Sequence, residues 1–524
     1  MKGERAAPGF AVRSLGDTMK QADIVQLSAR DVLVAFARHD LTPSDYLEAC
    51  LTHISRVNPL INALTAFDTE RAVAAAARAT ARWAANAPIG ALDGLPIGVK
   101  DLQDTAGLLT THGSPRARGN VPEVDLPMVA RLRAAGGIVL AKTNVPEMGA
   151  GGNSRNPVWG ATGNPFDPAL IAGGSSGGSA AALAADMLPL CTGSDTGGSL
   201  RLPAAICGVV GYRPSVDVIA HPTRPLGWSG ISVLGPMARD MDDLLLMLGV
   251  CAGHDANDPL SMPSDPARFV GFSGKPLSAL RLGWSEDFGD APVDADIRAT
   301  FHARLKALAP HVAECRAVDL NLGEMDRTFD ILRAESFLTA FDGPARRAPQ
   351  DFGDTIHANL ALGHQFTLAD RGWAHAEQTR ILRAFNARIA GLDAILLPTV
   401  PVSAFPWTQP HAERIDGQEM DIYYRWLALT YRGSLMGGPS ITLPTGRDGA
   451  GMPFGLQMLG PVRGDEGLLA VAKAIETLFA ADPETARPRP DLARLKPVEP
   501  GLRSIVTHPP STQPQRAGAV QTAV

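Results

Sequence analysis

Gly173-Gly174-Ser175-Ser176-Gly177-Gly178 and Ser194-Asp195-Thr196-Gly197-Gly198-Ser199-Leu200-Arg201 are two Gly/Ser knots that flank one short apolar stretch. Glycines at this density let backbone N–H groups crowd a common point, because no Cβ blocks the approach. Serines inside such knots are placed for chemistry. Taken alone, each knot would also read as a flexible linker. Context opposes that reading. Residues 180–185 are strong helix formers, and 187–192 read as a short buried strand. Linkers are not normally interrupted by core elements.

Working outward, residues 95–99 are apolar and bounded by a glycine, which predicts a buried strand that Lys100 ends. Residues 127–135 read as a helix and 138–141 as a strand, so the order strand, helix, strand argues for an α/β sheet. Upstream, 28–58 carry two amphipathic helices, the second opening at Thr42-Pro43-Ser44-Asp45, and 69–85 an Ala/Arg-rich helix. Residues 149–170 form a loop that leads into the first knot, and 240–250 read as a covering helix. Further on, strands are expected at 280–284, at 318–320 and at 393–397. Helices are expected at 293–308, 325–338 and 365–389, and a loop at 400–420. Tyr423, Tyr424, Trp426, Tyr431 and Met436 cluster on the next helix. Strands near 440 and 455 and a helix over 467–479 close the chain. We therefore expect an arm at 1–22 and one large α/β/α domain at 23–504. That domain divides into N-terminal helices (23–90), a catalytic core (91–255), a variable pocket region (256–436) and closing elements (437–504). The tail at 505–524 is rich in Pro, Gln, Ser and Thr and reads as disordered.

The chain has 524 residues, 45% apolar and 19% charged, an ordinary balance for a large core. A net charge of −6 argues against nucleic acid or an anionic membrane as the main partner. The five cysteines include no CxxC pair, which fits reduced thiols in a cytoplasmic protein rather than a disulfide frame or a zinc site. No apolar run is long enough for a membrane span, and the first residues do not read as a signal peptide.

A serine hydroxyl needs a base within hydrogen-bond reach. The 12 histidines sit in no motif; His112 and His221 lie nearest the knots and read as loop residues. Lysine is the alternative. An ammonium cannot accept a proton, but burial among apolar groups lowers a lysine's pKa. Lys100 follows such a strand, although Asp101 next to it offers a pairing partner and a lysine at a strand end also snorkels to solvent. Gly173-Gly174-Ser175-Ser176-Gly177 also satisfies the GxSxG nucleophile elbow, which would make Ser175 the nucleophile of an esterase. That reading leaves Lys100 and the second knot unexplained.

The knots, together with Gly94-Leu95-Pro96-Ile97-Gly98-Val99-Lys100-Asp101, Ala141-Lys142-Thr143-Asn144-Val145-Pro146-Glu147, Gly208-Val209-Val210-Gly211-Tyr212-Arg213-Pro214, Gly438-Pro439-Ser440-Ile441-Thr442-Leu443-Pro444 and Pro453-Phe454-Gly455-Leu456-Gln457-Met458-Leu459-Gly460, resemble the amidase signature family of serine hydrolases. The resemblance runs over roughly 25–480 and weakens between about 255 and 435. It implies a mixed, mostly parallel twisted sheet covered by helices. It implies a Ser-Ser-Lys triad with Ser199 as nucleophile, Ser175 as the bridging serine after a cis peptide, and Lys100 as base. It implies an oxyanion hole from the N–H groups of Thr196, Gly197, Gly198 and Ser199. Asp195 and Arg201 would pair beneath the loop, and Ser176 either packs the knot or joins the chemistry. The activity implied is hydrolysis of a small amide, carbamate or imide without metal or cofactor. The family's amidotransferase component, which needs glutamine and a partner, is a competing reading; no glutamine-recognition segment is recognisable at 330–435. A homodimer is implied by resemblance only. Trp159, Trp228, Tyr423, Trp426, Tyr431 and Met436 are candidate pocket residues.

Overall fold

The computed structural model describes residues 21–263, 265–269 and 275–511. Residues 1–20 of the expected arm and 512–524 of the expected tail lie outside the described residues. The start of that tail, 505–511, follows the surface, with Thr507 and His508 donating to the Pro157 carbonyl at 3.0 Å.

The opening helices form where their caps say they should. Ser28 Oγ accepts from Asp31 N at the head of helix Ala29–Ala37. Thr42 Oγ1 does the same for Asp45 N, and Pro43 fills the first turn of helix Pro43–Ile61. Helix Ala29–Ala37 packs on Met241–Cys251 and helix Pro43–Ile61 on Thr69–Ala84, and these two partners rest on an eleven-stranded sheet. Its spatial order is Leu64–Phe67, Ile138–Thr143, Pro96–Lys100, Leu190–Asp195, Val233–Ala238, Val210–Arg213, Ser440–Arg447, Pro453–Leu459, Ala394–Pro398, Arg281–Trp284 and Glu314–Ala317. Strand Pro96–Lys100 runs parallel to both neighbours, and Arg281–Trp284 to both of its own. All other adjacent strands are antiparallel. The sheet is mixed, as expected, but not mostly parallel: six of its ten pairings among the described residues are antiparallel, and the four parallel ones form these two patches. Parallel neighbours need a crossover, which the helices at 127–134, 177–184 and 295–308 supply, whereas antiparallel Ser440–Arg447 and Pro453–Leu459 are joined by a short turn.

Helices Gly177–Ala184 and Arg201–Cys207 touch each other and pack on the central strands. Helices Met241–Cys251 and Asp465–Ala480 make a second such pair. Several expected boundaries move. The strand expected at 187–192 is Leu190–Asp195, and the one at 318–320 is Glu314–Ala317. The expected helix over 365–389 begins at Leu368, capped by Thr367, and a separate helix, Asp354–Gly363, precedes it. The helix expected at 325–338 continues to Arg347.

Gly178 is fixed by close packing. A Cβ there would lie 2.2 Å from Asn144 N and 2.6 Å from Ala63 O, so the first turn of helix Gly177–Ala184 can rest on the end of strand Ile138–Thr143 only without a side chain. Gly178→Ala should destabilise by at least ~1–3 kcal/mol, because backbone cannot move aside. Gly467, in the first turn of helix Asp465–Ala480, has open space around its Cα, and Gly467→Ala should stabilise by ~0.5–1 kcal/mol. Thermal or urea unfolding of the two variants reads both signs; a neutral Gly178→Ala would contradict the packing argument.

Candidate active site

Strand Pro96–Lys100 delivers Lys100 to the edge of the two knots, fully buried. Its Nζ donates to Ser175 Oγ at 2.8 Å, to Ser176 Oγ at 2.7 Å and to Ser194 Oγ at 2.9 Å. The Ser194 carbonyl is a further contact at 3.4 Å. Three hydroxyls complete the nitrogen's tetrahedron in either charge state, since a neutral amine donates twice and accepts once. Asp101 does not pair with Lys100. It turns away to accept from Thr111 N at 3.0 Å and Thr111 Oγ1 at 2.5 Å. With no carboxylate in contact, burial pushes the Lys100 pKa down to about 7, against a smaller upward pull from the Asp195 charge.

The neighbouring strand explains how these partners arrive. Side chains alternate along Leu190–Asp195. Thr192 and Ser194 share the face toward Lys100; Thr192 Oγ1 accepts from Lys100 N at 2.9 Å. Asp195 points to the other face, where Arg201 Nη2 and Arg213 Nη1 reach its Oδ1 at 2.9 and 3.2 Å. Arg201 Nε donates to Oδ2 at 3.0 Å. All three side chains are fully buried. Burial alone would push the Asp195 carboxyl up; the two guanidinium groups reverse this and hold it well below the usual carboxylate range. Burial lowers Arg213 to about 10. The expected Asp195–Arg201 pair is therefore present, and Arg213 and Ser194 are members that sequence reasoning missed. The alternation of Thr192 with Ser194 was the available signal for the serine.

Asp195 also shapes the turn. It accepts from Gly198 N at 2.9 Å and Leu200 N at 3.1 Å. Gly198 has φ +121°, and a Cβ on it would sit 2.2 Å from Thr430 Oγ1, so only glycine fits. The Gly198 N–H is thereby committed to the carboxylate, which corrects its expected place among oxyanion donors. The N–H groups of Thr196, Gly197 and Ser199 make no hydrogen bond among the described residues.

The peptide between Gly174 and Ser175 is cis. Ser175 and Ser176 are buried, while Ser199 is half-buried and lines a narrow cleft. No hydrogen bond among the described residues joins Ser199 Oγ to Ser175; the two knots meet through Lys100 and Ser194. His112 pairs with Asp104 at 3.4 Å, and the His221 ring faces Thr223, so neither stands at a knot serine.

The cleft wall comes from the region where the resemblance weakens. Phe329 and Arg333 on helix Met325–Arg347 and Tyr423, Tyr424, Leu427 and Tyr431 line it with Ser199 and Gly197. Phe329 stacks on Tyr431 with centroids 4.4 Å apart. Of the six candidate pocket residues, Tyr423 and Tyr431 reach the cleft. Trp426 and Met436 are core, Trp159 donates to Thr111 Oγ1, and Trp228 is 82% exposed.

Residues 45–469 match the family model described as Amidase. The chain belongs to the amidase signature family. It is 34% identical over 489 residues to a glutamyl-tRNA(Gln) amidotransferase subunit of Salinispora arenicola, covering 87% of this chain and 98% of that protein. It is 32% identical over 465 residues to an acylamidase of Rhodococcus erythropolis, covering 88% and 97%. A solved amidase structure superimposes with a TM-score of 0.76 at 29% identity, covering 86% of this chain and all of that one. These relatives support a C–N-cleaving enzyme. No helix of the described residues is long and apolar enough to cross a membrane.

Asp195→Asn would leave two buried guanidinium groups with one neutral partner. We expect a loss of about 3–5 kcal/mol in unfolding free energy, the usual cost of breaking a buried pair from one side. Urea denaturation checks it; a loss under ~1 kcal/mol would mean that the pair does not hold the turn.

Proposed function

We propose that this protein hydrolyses a carboxylic amide, or a related carbamate or imide, through an acyl-enzyme on Ser199. The observation that carries this reading is the buried, carboxylate-free Lys100 amine held by three serine hydroxyls. Burial brings such an amine's pKa down to about 7, so a large share is neutral at that pH and accepts a proton. Ser199 Oγ attacks the substrate carbonyl carbon, its proton passes to Ser175 Oγ, and the Ser175 proton passes to Lys100 Nζ. The carbonyl oxygen gains charge facing the uncommitted N–H groups of Thr196, Gly197 and Ser199. The ammonium returns its proton to the departing amine, and water then releases the acid. Ser175 as nucleophile is disfavoured because its hydroxyl is buried against Lys100, whereas Ser199 opens on the cleft. The chemistry draws on this chain's own residues, Lys100, Ser175 and Ser199, with Asp195, Arg201 and Arg213 holding the loop.

A second reading is favoured by the names of several relatives: a glutamine amidase working with a partner protein. Glutaminase activity that rises on adding such a partner would support it. Simple amides turned over by the isolated chain support the hydrolase.

Ser199→Ala should lower kcat/KM by several orders of magnitude and abolish fluorophosphonate labelling. Label found on Ser175 instead would restore the esterase-type elbow. For wild type, kcat/KM should rise with pH through about 7, because the lowered Lys100 pKa makes the amine available above that value and protonates it below. Lys100→Ala should remove this limb and hurt an amide more than an ester of the same acyl group, since an amine leaves only when protonated. An unchanged acid limb in Lys100→Ala would assign the titration to another group.

A further inference from the structure

Three arginines stand behind the cleft wall, and they differ in one respect. Arg425 holds Asp330 and Asp421, each at 2.8 Å. Arg432 holds Asp326 at 2.8 Å and also Asp290. Arg333 has no carboxylate within ion-pair reach among the described residues, although it is only 8% exposed. Its neighbours are neutral. Nη2 donates to Tyr423 Oη at 2.6 Å and Nε to Asn359 Oδ1 at 3.2 Å. Asn359 is itself fully buried and donates to Tyr423 Oη at 2.8 Å. The guanidinium lies over the rings of Phe337 and Tyr424, 4.6 and 4.9 Å from their centroids.

These contacts fix the orientation of the side chain and leave one edge open. Nη1 makes no hydrogen bond among the described residues, yet it is not among their sealed polar atoms. Arg333 lines the same cleft as Ser199. A buried cation without a counterion is costly, and a guanidinium presents a planar fork shaped for a carboxylate. Position relative to the chemistry follows from the helix. Phe329 is four residues earlier, about 6 Å along the axis, and lies against Gly197 beside the nucleophile position.

We propose that Arg333 is the specificity residue of the cleft and that its open edge binds a carboxylate carried by the substrate, a few bonds from the scissile amide. This rests on the amidase reading above for the reaction and adds the class of molecule. Two substrate types share that chemistry: monoamides of short dicarboxylic acids, with the carboxylate on the acyl side, and N-acyl amino acids, with it on the amine side.

The test uses the full chain as wild type, Arg333→Gln and Arg333→Lys. Succinamate and glutaramate are compared with butyramide, and N-acetyl amino acids with their amides. Wild type should prefer the charged member of one series by roughly 10- to 100-fold in kcat/KM, the range of a charge-assisted hydrogen bond. Arg333→Gln should collapse that ratio through KM, and Arg333→Lys should restore part of it. The series that responds says which side of the amide carries the charge. Calorimetric titration with glutarate and with an N-acetyl amino acid tests the site without turnover. Wild type should bind at least one of them, and Arg333→Gln should bind it at least tenfold more weakly while keeping the wild-type melting temperature. If Ser199 fails to label but Arg333-dependent binding persists, the reaction mechanism is wrong and the carboxylate site stands. Labelling at Ser199 with equal rates on charged and neutral amides, and no binding of either acid, would overturn the proposal.

Discussion

The ion pairs on Asp195 are the constraint on which the rest of the site depends. One carboxylate on the last residue of strand Leu190–Asp195 is drawn into Arg201 from the following helix and Arg213 from the next strand but one in the sheet. The same carboxylate gathers the Gly198 and Leu200 N–H groups. That closes the turn and directs Ser199 outward into the cleft. Arg201 extends the fixation, donating to the Thr430 carbonyl and to Gln457 and Ser434. The loop is therefore tied to the closing strands and to the cleft wall at once. Rigidity of this kind is what a preorganised set of backbone donors needs.

It also governs Lys100. Asp195 is the anion whose charge raises the Lys100 pKa, but its oxygens are occupied by two arginines and two amides. Asp101, adjacent in sequence, is occupied by Thr111. Lys100 is left with hydroxyls, and burial decides its proton affinity. The contrast is Lys142 on the parallel strand beside it. That lysine is equally buried, but its ammonium donates to Gln103 O and Thr105 Oγ1 and feels Asp101 and Asp104; burial lowers it only to about 8. Two buried lysines one strand apart thus differ in partners, and only one meets the knots.

What the sequence disclosed follows from where function depends on short-range pattern. The knots are visible because glycine density is local, and Lys100 stands out as a strand-end lysine, but its role and the Asp195–Arg201 pair come with the family resemblance. Arg213 and Ser194 were harder. Arg213 acts across the sheet, and Ser194 is one more serine until strand alternation is applied to it. The cleft wall was least legible. Phe329 and Arg333 reach the cleft only after helix Met325–Arg347 folds back, and nothing in their local spacing says which side of that helix faces it. Helix Asp354–Gly363 is not read from the sequence at all, and the start of Leu368–Ile389 is marked by the capping box of Thr367 with Asp370.

The division of labour in the chain has a physical basis. Lys100 and the knot serines come from adjacent strands and the two knots, where register is pinned by hydrogen-bond ladders. The cleft wall comes from helices whose packing tolerates substitution, and its charges are balanced pairwise by Asp326 and Asp330. Changing a residue there alters what enters without moving Lys100 or Ser175. Arg333, a wall arginine without a carboxylate beside it among the described residues, is the exception to that balance. Because Tyr423 and Asn359 already fix its orientation, a ligand that completes its hydrogen bonds need not supply the ordering cost.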